Sequence, residues 1–178
     1  MDDDARLAFD LARDLDAAFE RLVVVHQDRL FTIALRMLGD RGAAEEAAQD
    51  AFVRAYRALG GYESARTREL RLRPWLSTIV LNLCRNHLTR RGRARPGDRS
   101  LDADRAIGVE PVDRAHGSPI AIVEARDARD AWAARVLALP PAYRAPVVLR
   151  HIDGLSYPEV AAALGRPEGT VKAQVHRG

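Results

Sequence analysis

Apolar residues recur every three or four positions along most of the chain, which is the spacing of an amphipathic α-helix. A first periodic stretch covers residues 7–38, and Gly39 interrupts it. A second covers residues 43–59, and a third begins at Pro74 and fades in the Arg-rich stretch 90–93. These patterns predict three helices in the first half of the chain.

Two polar stretches separate the periodic ones. Residues 62–73 have no apolar period and are predicted to form a loop, whereas residues 94–117 contain two Pro and three Gly and are predicted to form a flexible linker. Helical periodicity returns at Ser118. Because Ala and Leu dominate and β-branched runs are scarce, we predict an all-α protein. Its two small helical domains would cover residues 16–93 and 118–178.

The end of the chain has the pattern of a helix-turn-helix. Ser156 is a natural N-cap, and Glu159 three residues later completes a capping box. Gly165 supplies the positive φ of a tight turn, and Pro167 suits the first position of a second helix. Two short helices of this kind fit the major groove of DNA. Upstream, Pro146 removes one helix hydrogen bond and is expected to kink its helix or shift the helix start.

The formal net charge of +3 conceals a strong segregation of charge along the chain. Residues 60–99 hold ten Arg against three acidic residues, whereas residues 1–59 hold eight Arg against twelve acidic residues. Clustered positive charge indicates a polyanionic partner. A coding bias toward Arg explains why Arg outnumbers Lys, but it does not explain the clustering. Four Arg of the basic block lie in the predicted loop: Arg66, Arg68, Arg71 and Arg73.

Several classes of protein are disfavoured by the composition. No apolar run reaches the about 18 residues of a membrane span, and the acidic N-terminus is unlike a signal peptide. The single cysteine, Cys84, forms neither an internal disulfide nor a thiolate metal cluster. His26, Asp28 and His87 are conceivable ligands, but we expect both histidines at helix surfaces. The expectation is a cytoplasmic protein with no cofactor and no metal that is not an enzyme.

The order of these parts resembles the bacterial sigma-70 family, specifically its small extracytoplasmic-function (ECF) sigma factors. The matching stretches are residues 19–38, 43–59, 73–91 and 139–177. Members keep a promoter-melting domain, region 2, and a helix-turn-helix domain, region 4. The resemblance implies an initiation factor that binds core RNA polymerase and recognises promoter DNA as a −35 duplex and a −10 single strand.

By this resemblance, the helix over residues 43–59 docks on the coiled coil of the largest polymerase subunit. Acids and an amide on its polar face can pair with Arg of a partner helix through charge-assisted hydrogen bonds. From the pattern alone, a solvated acidic face explains the same residues almost as well. The residues assigned to polymerase binding are Glu45, Glu46, Gln49 and Asp50.

The basic loop and the helix after it are expected to handle the −10 element. Opening a duplex takes bases out of the stack, and aromatic side chains and cations offset that cost. Tyr62 is placed to help form a pocket for an extruded base, and Asn82 is assigned as a base-reading amide. Trp75 either wedges at the edge of the bubble or packs in the core. The cations assigned to phosphates are Arg85, Arg90 and Arg91.

The second helix of the helix-turn-helix is expected to read the −35 duplex. Its candidate contacts are Thr170, Lys172, Ala173, Gln174, His176 and Arg177. Thr170 and Lys172 suit phosphates, Gln174 suits adenine and Arg177 suits guanine. Family members more often have Ser-Arg in place of Ala173-Gln174, so a different −35 preference is expected. The helix is also expected to be cut short at its C-terminal end.

Two other functions stay open on the sequence alone. A stand-alone helix-turn-helix repressor or activator leaves the acidic helix and Asn82 without a role, and small modules usually need dimerisation. An enzyme is disfavoured because no HExxH, paired Cys or nucleophile elbow occurs. The resemblance further implies an anti-sigma partner that covers both domains. The linker either lies near nascent RNA or acts only as a spacer.

Overall fold

The computed structural model describes residues 3–93 and 131–178, and within these ranges the chain is helical with no β-strand. The first range holds α1 (Asp3–Arg13), α2 (Leu15–Leu38), α3 (Arg41–Gly60), α4 (Ser64–Arg68) and α5 (Leu72–Arg93). The second holds α6 (131–138), α7 (Pro141–Val147), α8 (Tyr157–Leu164) and α9 (Glu168–Arg177). The predicted linker and the predicted helix start at Ser118 lie outside the described residues.

Short polar side chains and a glycine set the ends of the first helices. Asp14 caps α2 by accepting a hydrogen bond from the N–H of Ala17 at 3.1 Å, and Asp40 caps α3 in the same way. Gly39 ends α2 with a φ of 72°. The prediction of a single helix over residues 7–38 was therefore wrong. Asp14 has an extended backbone and starts a new helix, although the apolar period continues past it.

Three long helices, α2, α3 and α5, pack together, and α1 covers α4 and one side of α2. Alanines on the inner face of α3 allow close helix packing, and Ala44, Ala51 and Ala55 are completely buried. Each large apolar side chain that is fully buried contributes roughly 1.5–3 kcal/mol. The fully buried side chains of this bundle include Leu22, Leu30, Ile33, Met37, Leu72, Leu76 and Leu81.

The stretch predicted as a loop is partly helical. α4 forms over Ser64–Arg68, and α5 begins at Leu72, two residues before Pro74. A helix of five residues is too short to show an apolar period. Thr67 of α4 is buried, and so is Leu72, so tertiary packing rather than local sequence pattern holds this segment.

The helix-turn-helix forms as predicted. The N–H of Ser156 donates to the Glu159 carboxylate at 2.8 Å, and Gly165 adopts a φ of 62° in the turn. Pro167 precedes α9 rather than occupying its first position. Val171 and Val175 are buried, which anchors α9 on α7 and α8.

The helix that contains Pro146 continues past it. α7 runs through Pro146 and is followed by a π-helical turn over Val148–Ile152. Pro146 has no N–H for the carbonyl of Ala142 four residues earlier. Arg166 donates to that oxygen instead, at 3.1 Å. A side chain from the helix-turn-helix thus satisfies the acceptor that proline leaves open.

The two described ranges pack against each other. α8 lies against α5, and the π-helical turn contacts α2. Arg144 of α7 donates to the backbone carbonyl of Met37 at 2.6 Å. None of the described helices combines the length and apolarity needed to cross a membrane.

Candidate polymerase and DNA interfaces

A shallow cleft between α2 and α3 contains half of the predicted polymerase-binding residues. Phe31 and Phe52 lie in its lining, and Glu45 and Gln49 stand beside them. Arg41 donates to Glu45 at 3.0 Å, and its guanidinium lies 5.4 Å from the centre of the Phe31 ring. An apolar floor with a charged rim is the usual composition of a protein-binding surface. All four predicted residues are exposed: Glu45, Glu46, Gln49 and Asp50.

The four predicted residues all belong to α3, whereas the cleft is also lined by α2. Val23, Gln27 and Phe31 of α2 line it together with α3. These three residues are spaced by four, so they share one helix face, and this spacing was a signal that the sequence offered. Further along α3, Val53 and Tyr56 are exposed and extend the apolar surface.

Two aromatic side chains meet at the other end of the bundle. The rings of Tyr62 and Trp75 lie 6.2 Å apart, and the Arg66 guanidinium lies 3.9 Å from the Tyr62 ring centre. Both aromatic side chains are half-buried and pack against the hydrophobic core. Of the two roles considered for Trp75, core packing is the one that this arrangement matches.

The predicted base-reading and phosphate-binding residues lie in the second half of α5, and all of them are at least partly exposed. Asn82, Arg90 and Arg91 are exposed, and Arg85 is half-buried with its guanidinium 3.5 Å from the Asn82 side-chain oxygen. Burial and the nearby guanidinium of Arg166 lower the pKa of Arg85 from its usual value. Arg166 belongs to the turn between α8 and α9, so two basic surfaces come close together here.

The predicted −35 contacts on α9 are exposed with one exception. Lys172 donates to Glu168 at 2.7 Å, which raises the pKa of Lys172. Gln174 is half-buried, and its side-chain oxygen accepts from Arg166 at 2.9 Å. This oxygen is the acceptor that bidentate recognition of adenine uses, and in the folded protein it is bonded to Arg166; the role of Gln174 in reading adenine stays a prediction. The exposed candidates are Thr170, Lys172, Ala173, His176 and Arg177.

Comparisons with known proteins match both halves of the chain. The family model for Sigma-70 region 2 matches residues 22–94, and the model for Sigma-70, region 4 matches residues 129–178. The RNA polymerase sigma-H factor of Pseudomonas aeruginosa is 33% identical over 98% of this chain and 89% of its own length. The ECF RNA polymerase sigma factor SigW of Bacillus subtilis is 34% identical over 90% of this chain and 84% of its own. This chain belongs to the ECF sigma factors.

The match to a third relative covers less than two thirds of that relative. The ECF RNA polymerase sigma factor SigE of Mycolicibacterium smegmatis is 36% identical over 96% of this chain, which spans 63% of the length of SigE. Solved structures share the fold. CnrH, in complex with the cytosolic domain of CnrY, has a TM-score of 0.66 at 27% identity, and the match covers 99% of this chain and 92% of CnrH. The sigma factor RpoE from Bartonella quintana, in complex with the anti-sigma factor NepR, has a TM-score of 0.68 at 20% identity, covering 89% and 90%.

A buried polar cluster joins region 2 to region 4 of this sigma factor. Asp153, at the end of the π-helical turn, has a fully buried side chain. Its carboxylate accepts from Arg29 Nη2 at 3.0 Å and from the Ser77 hydroxyl at 2.6 Å, and Arg29 Nε donates to it as well. Arg73 donates to the Asp153 backbone carbonyl at 2.6 Å. The sequence analysis gave none of these residues a role in joining the domains.

His26 lies beside this cluster, and the expectation that it is a surface residue was wrong. Only 2% of it is exposed, because α1 covers it and places Asp4 3.5 Å from its Nε2. That distance is too long for a hydrogen bond, so Nε2 has no partner. Burial lowers the pKa of His26 below its ordinary value of 6.5. Its spacing of four from the core residues Leu22 and Leu30 was the signal for burial.

Among the residues that the structure describes, no three His, Cys, Asp or Glu side chains are arranged to hold a metal ion. Cys84 is buried, and burial raises the pKa of its thiol to about 12.

Proposed function

We propose that this ECF sigma factor binds core RNA polymerase through the cleft between α2 and α3 and directs promoter recognition and melting through two separate basic surfaces. The observation that carries the proposal is the separation of charge on the folded protein. Acidic and amide groups surround an apolar cleft on one face, whereas Arg85, Arg90 and Arg91 line α5. A protein partner binds an apolar surface with a charged rim, whereas a polyanion binds a surface rich in cations.

The same proposal assigns a role to each region. Region 2, over residues 16–93, docks on polymerase and holds −10 DNA with Tyr62 and the polar residues in the second half of α5. Region 4, over residues 118–178, presents α9 to the −35 duplex. Because the two related solved structures are complexes with CnrY and NepR, the latter an anti-sigma factor, we also propose that an anti-sigma factor binds this protein. The protein itself would act in the cytoplasm and catalyse no reaction.

Co-elution with purified bacterial core RNA polymerase on a sizing column tests the docking assignment. The native chain should co-elute, and Glu45→Ala/Gln49→Ala should weaken binding by about tenfold to a hundredfold, because both side chains line the cleft. The matched control is Glu63→Ala/Glu69→Ala, which removes two exposed acids at the opposite end of region 2. Its binding should equal that of the native chain.

A folded native chain that does not co-elute at low salt would contradict the proposal. It would favour the stand-alone DNA binder, in which α9 works without polymerase. Binding of a −35-type duplex in the absence of polymerase, measured by fluorescence anisotropy across a range of salt, separates the two functions.

A further inference from the structure

The closest contact between the two regions is a buried ion pair whose acidic partner comes from region 4. Asp153 is 2% exposed as a residue, and its side chain is completely inaccessible. The groups that bond its carboxylate come from α2 and α5, through Arg29 and Ser77. Removing a carboxylate from water is costly unless it is paired and hydrogen-bonded, and this one is both.

Arg29 also makes hydrogen bonds within region 2. Its Nη2 donates to the backbone carbonyl of Arg73 at 2.8 Å and to the Ser77 hydroxyl at 2.6 Å. Withdrawal of Asp153 would leave Arg29 without its anion in a largely buried position, where only 16% of its side chain is exposed. Breaking a buried pair from one side is strongly unfavourable, so the network favours a closed arrangement of the two regions.

A second acid of region 4 pairs with the same basic segment. Glu159 lies 2.7 Å from Arg71, which is 73% exposed at its side chain. Arg71 lies directly before α5 and Arg73 lies in its first turn, and Arg73 is also 3.9 Å from the Asp153 carboxylate. Region 4 acids thus pair with three cations, of which Arg71 and Arg73 come from the basic segment that is expected to handle the −10 element.

We propose that Asp153 and Glu159 form an intramolecular latch that closes region 4 over region 2 and takes the place of DNA phosphates on Arg29, Arg71 and Arg73. This inference rests on the proposed function, because it assumes that this end of region 2 binds DNA. When the two regions separate, the side chains of Arg29, Arg71 and Arg73 become free to bind DNA phosphates. The closed state also brings Arg85 near Arg166, and this like-charge repulsion opposes the latch.

The latch can be tested on the full chain by measuring the distance between the regions. Spin labels are attached at Glu20→Cys on α2 and Ala162→Cys on α8, both exposed positions. Cys84 is buried with a pKa raised to about 12, so it stays unlabelled. The double-label protein should give one short distance. Asp153→Asn should give a broad, longer distribution, because it removes the charge while keeping the size of the side chain.

Binding of fluorescein-labelled oligodeoxythymidylate at low salt then tests the competition with DNA. Asp153→Asn should bind this single strand about tenfold more tightly than the native chain, since closure of the latch no longer competes with binding. Arg29→Gln should open the regions as well but gain less affinity, because it also removes a phosphate contact. Its combination with Asp153→Asn should open the regions no further than either change alone.

The matched control is Asp10→Asn, which removes an Asp–Arg pair with Arg21 that joins α1 to α2 and includes no residue of region 4. It should change neither distance nor affinity. Unchanged distances in Asp153→Asn and Arg29→Gln would overturn the latch, and opened regions with unchanged oligonucleotide affinity would overturn the competition. Co-elution with core polymerase tests the proposed function separately: its absence in native chain and variants alike rejects that function, while the distances and affinities still decide the inference.

Discussion

The two ends of region 2 differ in what surrounds their charged groups. At the docking end, the acids of α3 are exposed around an apolar cleft, and the Arg41–Glu45 pair lies in solvent. At the promoter end, region 4 covers part of the basic surface. All four polar or charged residues that are buried within the described ranges belong to α4 and to the contact of α2 and α5 with region 4: His26, Thr67, Ser77 and Asp153.

Because of this difference, polymerase and DNA would bind to surfaces that differ in how far their charged groups are already paired. A partner at the α2–α3 cleft displaces water and pairs with groups that are already presented. If region 4 closes over region 2 as proposed, a DNA strand at α5 competes with Asp153 and Glu159 for cations that are already paired. Under the proposals above, polymerase binding can precede promoter binding without any rearrangement of the docking surface.

The largest effect is expected from a change in the core that both ends share. Leu76 of α5 is fully buried, so Leu76→Ala should lower the free energy of unfolding by about 2–5 kcal/mol. Urea denaturation followed by circular dichroism measures this loss. Val24→Ala at a 62% exposed position should stay within about 0.5 kcal/mol of the native chain. Equal losses from both substitutions would contradict a core shared by the two ends.

A smaller and more local effect is expected from Asn82→Ala. Removing a base-reading amide costs about 1–3 kcal/mol, which should reduce open-complex formation with core polymerase, measured by permanganate reactivity of unpaired thymines. Co-elution with polymerase should not change, because Asn82 is exposed on α5 and away from the cleft. Asn86→Ala, an exposed amide one turn along α5, is the comparison. Equal loss from both amides, or loss of polymerase binding, would refute the role assigned to Asn82.

The smallest expected effect is a change of folding stability with pH that arises from His26. Burial holds the pKa of His26 below 6.5 in the folded state, despite opposition from Asp4 and Asp153, while Arg29 and Arg73 lower it further. The unfolded chain therefore takes up a proton first as pH falls. His26 should thus reduce stability below about pH 6.5 and have no effect above it.

Urea midpoints at pH 7.5 and 5.5 test this sign. The native chain should lose more stability between the two values than His26→Gln, which cannot titrate. An identical pH dependence in both proteins would show that the carboxylates, rather than His26, govern stability in this range.

Local signals predicted the helices and the turn well. The capping box of Ser156 and Glu159 and the left-handed Gly165 appear in the structure as expected, because each depends on residues within a few positions of each other. Local signals did not predict the helix boundary at Asp14 or the helix α4. Asp14 caps a helix inside an unbroken apolar period, and the five residues of α4 are held by the burial of Thr67 rather than by a pattern.

The candidate site was predictable only where exposure follows from helix periodicity. Glu45, Gln49 and Asn82 lie opposite apolar stripes, and all three are exposed. Gln174 lies on the expected helix, but Arg166 holds its side-chain oxygen. Arg166 is also bonded to the carbonyl left open by Pro146, an arrangement that depends on how α7 packs beside the turn.

The sequence by itself determined the helical class, the helix-turn-helix, the separation of acidic and basic segments and the family. These follow from spacings of three and four residues and from charge counts, which need no knowledge of packing. Only the tertiary structure decided that α2 and α3 together line the apolar cleft and that Asp153 is buried between α2 and α5. Asp153 and Arg29 are 124 residues apart in the chain, so no local pattern signals that they meet. Their pairing depends on the packing of region 4 on region 2.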